Sequence, residues 1–236
     1  MEKNVSDPEL RAKLLPSYSF GCKRVLPSNE WYPALTKANV DLVTEGIAEV
    51  VANGIVTTDG ELHEADTIVF ATGFYVTDIR FANIIRGRDG TRMSDLWNGS
   101  PQAYRGTAVA GFPNLFIITG PNTGLGHNSL VYMIEAQLEY LMDAIRVMDQ
   151  RGATQVEVRR AAQDAYNARI QSRMPPTVWN SGGCSSWYID VNGRNTTIWP
   201  DYTWRYRRLM RSFDTAAYEL TAPAPSPAGA SARLAG

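Results

Sequence analysis

Two adjacent cations, Lys23 and Arg24, stand in a loop that is rich in aromatic residues, glycine and proline. An arginine presents a planar fork of donors with a permanent charge, which can stabilise an anion that forms during a reaction. A lysine presents a compact charge that suits a phosphate group. The pair could therefore stabilise anions and bind phosphate, or it could be an ordinary solvated pair of surface charges.

Two glycine-containing turns are the other candidate sites. One is Ala71-Thr72-Gly73-Phe74, after an apolar run, and the other extends from Gly120 to Ser129, before a long helical pattern. Glycine lets the backbone approach a flat or anionic ligand, and a helix start offers free N–H groups at the positive end of its dipole. Neither turn matches GxGxxG or GxxxxGK, so we expect no pyrophosphate site within this chain. A tight turn without any ligand is the alternative.

The cysteines, the histidine of the second turn and an arginine-rich stretch indicate no further chemistry. Cys22 and Cys184 are too few for a disulfide scaffold or a zinc site, so we expect two free structural thiols and no metal. His127 could carry a proton, but a structural hydrogen bond is the more ordinary role. Four arginines near the C-terminus are expected to form a solvated helix face, paired with acidic residues such as Asp201, rather than a nucleic-acid stripe. They are Arg205, Arg207, Arg208 and Arg211.

The composition is that of an ordinary globular protein, with 236 residues, 44% hydrophobic and 20% charged, and a formal net charge of −1. A nucleic-acid-coating protein would need a large excess of Lys and Arg. No apolar run approaches the ~20 residues that span a bilayer, and Met1 to Leu10 contain no signal-peptide core. We therefore expect a soluble, cytoplasmic protein with neither a nucleic-acid nor a membrane partner.

Periodicity and turn residues predict an α/β protein around these candidates. A meander with Asn-Gly and Asp-Gly turns feeds a central strand that is apolar on both faces, and a second apolar strand leads to the Gly120 turn. The predicted strands are Val40–Val43, Ile47–Ala52, Ile55–Thr58, Thr67–Ala71, Leu115–Ile118 and Gln155–Val158.

A long helix is predicted from Ser129 to Gln150, with Asn128 or Ser129 as its cap and Gly152 just past its end. Apolar residues at steps of three and four predict the face that packs on the core. They are Val131, Ile134, Leu138, Leu141, Ile145 and Met148. Shorter helices are expected at Asp7–Leu15, Ala161–Met174 and Tyr202–Phe213.

In order along the chain, these segments resemble parts of Baeyer–Villiger monooxygenases, flavoproteins with two dinucleotide-binding domains. The segments that carry the resemblance are Phe20–Arg24, Trp31–Pro33, Asn39–Val43, Asp66–Phe74, Ala110–Phe116 and Gly120–Thr123. Trp187-Tyr188, Gly193-Arg194 and Trp199-Pro200 resemble the C-terminal region of the 4-hydroxyacetophenone-monooxygenase-like branch. The resemblance extends from about Asp7 to Leu220.

The chain also departs from the family pattern. The two GxGxxG-type fingerprints and the FxGxxxHxxxW motif, which lie upstream in the family, are missing. The SWxxGAN pattern of cyclohexanone- and phenylacetone-type members is replaced by the residues from Ser186 to Asn192. The chain therefore looks like the C-terminal half of such an enzyme.

The resemblance implies a partial α/β flavoprotein of this two-domain kind. Residues 1–73 would be the C-terminal part of the NADP-binding domain with a small meander, 74–220 the C-terminal part of the FAD-binding domain, and 221–236 a disordered tail. It also implies that Arg24 is catalytic and lies at the flavin. The residues implied to bind FAD or NADP are Lys23, Thr72, Gly73, Gly120, Pro121, Asn122, Thr123, Leu130 and Trp187.

Three of these residues have an individual role implied by the resemblance. Lys23 would reach the 2′-phosphate of NADP, and the backbone N–H of Leu130 would meet the flavin ring. Trp187 would border the nicotinamide and the substrate, although an ordinary core aromatic is the alternative.

The implied activity is an FAD- and NADPH-dependent oxidation in which one oxygen atom of dioxygen is inserted beside a ketone carbonyl, giving an ester or lactone. The sequence does not identify the ketone. Two alternatives stay open: a flavin-containing monooxygenase that oxidises nitrogen or sulfur, and a non-catalytic remnant or split-enzyme half that needs an N-terminal partner chain. In a half-enzyme we expect apolar surface to be exposed where its partners are missing.

Overall fold

The computed structural model describes residues 1–73, 76–126 and 128–222. These residues form two units, one of residues 1–17 and 26–73, the other of residues 18–25, 76–126 and 128–222. The segment 18–25 therefore belongs to the second unit, although the chain before and after it belongs to the first. The assignment of 1–73 and 74–220 to an NADP- and an FAD-binding domain stays a prediction.

The first unit contains two short helices and one antiparallel meander. Asp7 caps the first helix by accepting a hydrogen bond from the Glu9 N–H at 2.9 Å, and the predicted Asn-Gly turn joins the first two strands. A Cβ on Gly54 would collide with the His63 carbonyl of the third strand, so the close pairing requires glycine there. The elements are α1 (Pro8–Leu14), α2 (Trp31–Leu35), β1 (Ile47–Val51), β2 (Gly54–Thr57) and β3 (Leu62–Glu64), in sheet order β1-β2-β3.

Two strands predicted for this unit are wrong. Val40–Val43 and Thr67–Ala71 are not strands in the described residues, and the third strand of the meander is Leu62–Glu64 instead. The side chains of Val69 and Phe70, predicted to be central, are 85% and 78% exposed. A strand that is apolar on both faces needs neighbouring strands and a layer on each face, and a three-stranded meander provides neither.

The second unit is mainly helical, with one two-stranded antiparallel ribbon. The strand predicted at Gln155–Val158 is confirmed, and the two helices predicted after it are confirmed apart from their ends. The elements are a 3₁₀ turn at Arg80–Asn83, α3 (Met93–Trp97), α4 (Leu130–Arg151), β4 (Gln155–Val158), α5 (Arg160–Ser172), α6 (Val178–Ser181), α7 (Thr203–Met210), a 3₁₀ turn at Thr215–Ala217 and β5 (Tyr218–Thr221). Strands β4 and β5 pair with each other.

The strand predicted at Leu115–Ile118 is wrong for the described residues. Only Phe116 makes a β-bridge there, to Ala108. Ile117 donates its N–H to the Thr107 carbonyl at 2.8 Å. Because no long strand lies beside this run in the described residues, its apolar side chains pack as a loop. The stretch of residues 83–105, which precedes this run, contains the short helix α3.

The bounds of α4 agree with the prediction, but three residues of the predicted core-facing stripe are not buried. Ser129 precedes the helix, and Gly152 ends it in the left-handed conformation at φ 59°. The side chains of Val131, Leu138 and Ile145 are 60%, 45% and 42% exposed, whereas Met148 packs against the core. The buried residues of α4 lie about a third of a turn away: Met133, Ala136, Gln137, Tyr140 and Ala144. Helix α4 therefore has two neighbouring apolar faces, of which the described residues cover one.

Buried tyrosines surround one buried arginine in the core of the second unit. Arg105 donates to the Leu209 carbonyl at 2.7 Å and to the Asp214 carboxylate at 3.1 Å. Its guanidinium carbon lies 5.2 Å from the ring centroids of Tyr104 and of Tyr140. A buried charge needs such partners, because leaving it unpaired away from water is costly.

A buried amide fastens α4 to the chain that precedes the Gly120 turn. The Gln137 side chain accepts a hydrogen bond from the Thr119 N–H at 2.8 Å and donates to the Gly106 carbonyl at 3.1 Å and to the Thr107 hydroxyl at 3.0 Å. Because Gln137 is fully buried, these bonds fix where the turn begins relative to the helix.

No helix in the described part of the chain is long and apolar enough to cross a membrane. The tail expected to be disordered falls outside the described residues from residue 223 onward, while Thr221 is the last residue of β5.

Candidate functional site

Arg24 lies at the second glycine turn. Its Nη1 donates to the Leu125 carbonyl at 2.8 Å, and Leu125 stands five residues before the start of α4. The predicted cation and the predicted turn, which are about 100 residues apart in the sequence, therefore meet in the second unit. The fold brings a permanent positive charge to the turn that leads into the longest helix.

A disulfide bond joins the segment of Arg24 to the loop after α6. It links Cys22 to Cys184, so the expectation of two free thiols is wrong. Beside it, the Ser19 N–H donates to the Gly182 carbonyl at 2.8 Å. A Cβ on Gly182 would lie 2.8 Å from the Cys22 Sγ, so only glycine allows this approach. The two cysteines are 162 residues apart in the sequence, which leaves no local signal that their Cα atoms are 6.1 Å apart.

A cavity of about 500 Å³ adjoins Arg24. Its walls are aromatic and apolar apart from the guanidinium and one amide side chain, which is a lining suited to a planar group that carries negative charge. The lining residues are Phe20, Gly21, Arg24, Val25, Gly126, Asn128, Val178 and Trp179. A Cβ on Gly126 would lie 2.8 Å from Nε1 of the Trp179 indole, so this wall is closely packed.

The N-terminus of α4 opens beside the same cavity. Leu130 is its first residue, and the Ser129 side chain makes no capping hydrogen bond within the described residues. Asn128 holds the approach to the helix, because its Oδ1 accepts from the Ser129 N–H at 2.7 Å and its Nδ2 donates to the Thr203 hydroxyl at 3.1 Å. The first-turn N–H groups, which include the predicted Leu130 N–H, therefore have no hydroxyl cap to satisfy them.

The side chains from Gly120 to Thr123 fix the turn itself. Asn122 is buried at φ 57°, and its Nδ2 donates to the carbonyls of Asn195 and Ile198 at 2.8 and 3.0 Å. The Thr123 hydroxyl donates to the Gly120 carbonyl at 2.7 Å. Since these polar groups are used inside the protein, this turn can meet a ligand chiefly through its backbone.

Trp187 and Tyr188 form an aromatic pair shortly after Cys184 in the sequence. Their ring centroids are 4.2 Å apart, and Trp187 is half-exposed while Tyr188 is buried. Burial raises the pKa of the Tyr188 hydroxyl, and the nearby positive charge of Arg24 acts in the opposite direction. That hydroxyl has no hydrogen-bond partner among the described residues. A buried donor without a partner beside a cation is a feature that a ligand can satisfy.

Lys23 contacts a different aromatic ring, that of Tyr18. Its Nζ lies 4.8 Å from the ring centroid of Tyr18, and the residue is exposed. An exposed ammonium is free to reach a phosphate, and nothing in the second unit holds it elsewhere by an ion pair within the described residues.

The first glycine turn, Thr72-Gly73, belongs to the first unit. Gly73 adopts φ 82°, a left-handed conformation that favours glycine, and no atom of the described residues lies within 4 Å of a Cβ built there. Its glycine is therefore required by the backbone rather than by packing. Phe74 and His127, both singled out in the sequence, lie outside the described residues.

Sequence reasoning missed Phe20, Trp179 and Tyr188 as parts of this site. A run of aromatic residues around residues 179–188 is a signal that could have drawn attention to the last two. The described residues contain no group of three or more side chains placed to hold a metal ion.

Comparisons with known proteins give a consistent set of relatives. A Baeyer–Villiger monooxygenase of Pseudomonas aeruginosa is 50% identical over 222 residues, which cover 94% of this chain and 42% of that protein. Another Baeyer–Villiger monooxygenase, from Streptomyces coelicolor, is 50% identical over 229 residues, covering 97% of this chain and 44% of that protein. No protein-family model matches the chain.

The solved structures agree with the sequence relatives. The crystal structure of OTEMO in complex with FAD and NADP matches with a TM-score of 0.80 at 29% identity, covering 93% of this chain and 42% of that one. The chain thus spans less than half the length of the relatives it matches. The predicted fold class, a partial α/β flavoprotein with two dinucleotide-binding domains, is confirmed.

Proposed function

Since this chain belongs to the Baeyer–Villiger monooxygenase family over nearly its whole length, we propose that it is the C-terminal part of an FAD- and NADPH-dependent enzyme that oxidises a ketone to an ester or lactone with dioxygen. The observation that carries the proposal is the position of Arg24, which is hydrogen-bonded to Leu125 and lines the cavity before α4.

The groups around the cavity fit the cofactors. A flavin is planar and carries negative charge along one edge when reduced, and the cavity offers aromatic walls, a guanidinium and an uncapped helix N-terminus. The unpartnered Tyr188 hydroxyl adds a donor. When bound, FAD supplies the oxygen chemistry of the reaction and NADPH supplies its electrons.

Arg24 is proposed to stabilise the negative charge that develops on the ketone oxygen when its carbonyl carbon is attacked. One of its N–H groups is held by Leu125, which fixes the guanidinium before the reaction begins. A donor fixed in advance needs no rearrangement as charge develops, and such electrostatic stabilisation is commonly the main source of an enzyme's rate acceleration.

The other site residues have supporting roles in this proposal. Lys23 binds the 2′-phosphate of NADP as a point charge, and the Leu130 N–H donates to the flavin ring at the N-terminus of α4. The backbone of Gly120 to Thr123 shapes the flavin site, and Thr72-Gly73 is a second cofactor-binding turn in the first unit. Trp187 borders the nicotinamide and the ketone.

The proposal requires a further segment for binding the pyrophosphate of FAD. Neither glycine turn of this chain has a fingerprint for that group. We propose that an N-terminal part of the kind present in the longer relatives provides it, on the same chain or on a partner chain. A cytoplasmic location is part of the proposal as well.

Product analysis on the full-length protein tests the proposed function. With NADPH, dioxygen and a panel of ketones, we expect an ester or lactone that contains one oxygen atom from labelled dioxygen. Oxidation of amines or sulfides with no ester from any ketone would favour the flavin-containing monooxygenase alternative and contradict the proposal.

A further inference from the structure

We propose that the disulfide between Cys22 and Cys184 is a redox-responsive clasp that positions Arg24. When oxidised, it holds the segment 18–25 against the loop after α6; when reduced, it lets that segment move away from the α4 turn. The inference rests on the proposed function in two respects, namely that the position of Arg24 matters for the reaction and that the protein works in the cytoplasm.

Within the described residues, the disulfide is the only covalent bond, apart from the polypeptide backbone, that joins the segment 18–25 to the rest of the second unit. Cys22 is two residues before Arg24, so the Arg24 Cα lies within ~7 Å of the Cα that the bond anchors. The other hydrogen bonds from this segment to the rest of the unit, within the described residues, are single ones from Ser19 to Gly182 and from Arg24 to Leu125. A mostly exposed segment with so few bonds opens readily.

The exposure of the two cysteines determines which sulfur atom a reductant attacks. Cys22 is fully buried, whereas Cys184 is partly exposed. A dithiol must therefore attack the sulfur of Cys184, and Cys22 leaves as a thiolate next to the positive charges of Lys23 and Arg24. Such neighbouring cations favour a leaving thiolate.

The reduction step balances as an ordinary thiol–disulfide exchange. The S–S bond breaks as the first sulfur of the dithiol bonds to Cys184, and Cys22 takes up a proton. The second sulfur of the dithiol then displaces Cys184, which also takes up a proton, and the dithiol becomes a cyclic disulfide. Two electrons and two protons have passed from the dithiol to the cysteines.

The expected cellular location favours a responsive bond over a permanent staple. In the cytoplasm, where we propose the protein works, thiol systems keep most cysteines reduced, and the disulfides that do form are mainly transient. A pair that closes only under oxidising conditions would couple the position of Arg24 to the redox state around the enzyme.

Trypsin tests the clasp on the 236-residue chain itself, without flavin or ketone. Trypsin cuts after Lys23 and after Arg24, and we expect both cuts to become at least about tenfold faster once dithiothreitol has reduced the chain. Cleavage after Arg146, within α4, serves as an internal control and is expected to keep its rate. Re-oxidation is expected to restore slow cleavage after Lys23 and Arg24.

Two variants sharpen the test. Cys184→Ser should show the fast cleavage without any reductant, while the matched control Ser185→Ala should behave as the wild type does. Two thiols free to react with iodoacetamide in the unreduced chain would overturn the proposal. Equal acceleration after Arg24 and after Arg146 would overturn it too, since the bond would then stabilise the whole unit rather than position one segment.

The full-length enzyme separates positioning from general stability. We expect dithiothreitol to lower kcat for ester formation reversibly, while the rate of flavin reduction at saturating NADPH is unchanged, and Cys184→Ser to be insensitive to the reductant. Unchanged kcat on reduction would overturn the positioning role. The trypsin result needs no catalytic turnover, so a failure of the proposed function would be recognised separately, by the absence of any ester from the oxidised enzyme.

Discussion

Arg24 differs from the arginines near the C-terminus in what it binds. Arg205 and Arg207 form ion pairs with Asp201 at 3.0 Å and with Glu139 at 2.6 Å, as expected for a solvated helix face. Arg24 donates instead to the neutral carbonyl of Leu125. Its charge is therefore available to an anion in the adjoining cavity, whereas the charges of the other two are largely compensated.

Removing that charge should affect the reaction more than cofactor binding. In the full-length enzyme we expect Arg24→Ala to retain FAD and to lose about 10²–10³-fold in the rate of ester formation, the typical cost of removing a main donor to an oxyanion. Arg24→Lys should restore little, because an ammonium lacks the planar two-donor geometry. The measurement is ketone-dependent ester production alongside flavin content.

The neighbouring lysine is the matched control for that experiment. Lys23→Ala should raise the NADPH concentration that the enzyme requires and reduce its preference for NADPH over NADH. Ester formation at saturating NADPH should be largely retained. A near-normal ester yield from Arg24→Ala would show that Arg24 takes no part in the reaction. Lys23 and Arg24 would then be an ordinary pair of surface charges.

The sequence could predict the residues of this site better than the links between them. Arg24 and the Gly120 turn carry recognisable motifs, so each could be chosen by residue type. The bond between Cys22 and Cys184 could not be predicted, because it depends on a fold that closes a separation of 162 residues. The buried Tyr188 hydroxyl was missed for the same reason, since burial is a property of the packed unit.

Helix α4 shows the same difference between features that local residues predict and features that depend on the fold. Its ends were predictable from local residues, with Ser129 before the helix and a left-handed Gly152 after it. Its packed face was not, because apolar residues occupy two neighbouring faces and periodicity alone does not say which one is buried. The strands predicted at Thr67–Ala71 and Leu115–Ile118 failed similarly, since strands need partners that are distant in the sequence.

Paired substitutions on the two faces of α4 should have unequal effects in this chain. Met133→Ala should lower the free energy of unfolding by about 2–5 kcal/mol, because it leaves a cavity under a fully buried side chain. Leu138→Ala, at a side chain that is 45% exposed, should cost no more than ~1 kcal/mol. Urea denaturation followed by circular dichroism measures both, and equal costs would contradict the observed burial of the helix.

At the scale of the whole molecule, the chain by itself should not retain its flavin. It has an aromatic cavity and cationic groups but no fingerprint for a pyrophosphate. We expect the purified 236-residue chain to be colourless and to lose added FAD on a desalting column. Yellow protein with one FAD per chain after desalting would refute this expectation.

Buried tyrosines should make the second unit sensitive to alkali. Burial raises the pKa of Tyr104 to about 12, while a tyrosine in the unfolded chain titrates near pH ~10. Below pH ~10 both states keep the proton, so the stabilising contribution is complete there; above it the unfolded chain releases protons first, and the free energy of unfolding falls as pH rises. Burial also raises the pKa of Tyr140, Tyr166, Tyr206 and Tyr218.

Ultraviolet absorbance and circular dichroism, followed together from about pH 9 to about pH 13, check this expectation. Most tyrosinate absorbance should appear in the same step as the loss of helix. Complete ionisation of the tyrosines near pH ~10 with the helices intact would show that they are accessible to water in the folded chain.

The interruption of one unit by the other also has a consequence for synthesis. Residues 18–25 are synthesised before residues 76–126 and 128–222, with which they form one unit. At ~5–20 residues per second, Cys184 is added roughly 8–30 s after Cys22. During that interval the nascent chain carries an unpaired cysteine, a pair of cations and an exposed Phe20, which makes this short stretch a natural place for a chaperone to hold the growing polypeptide.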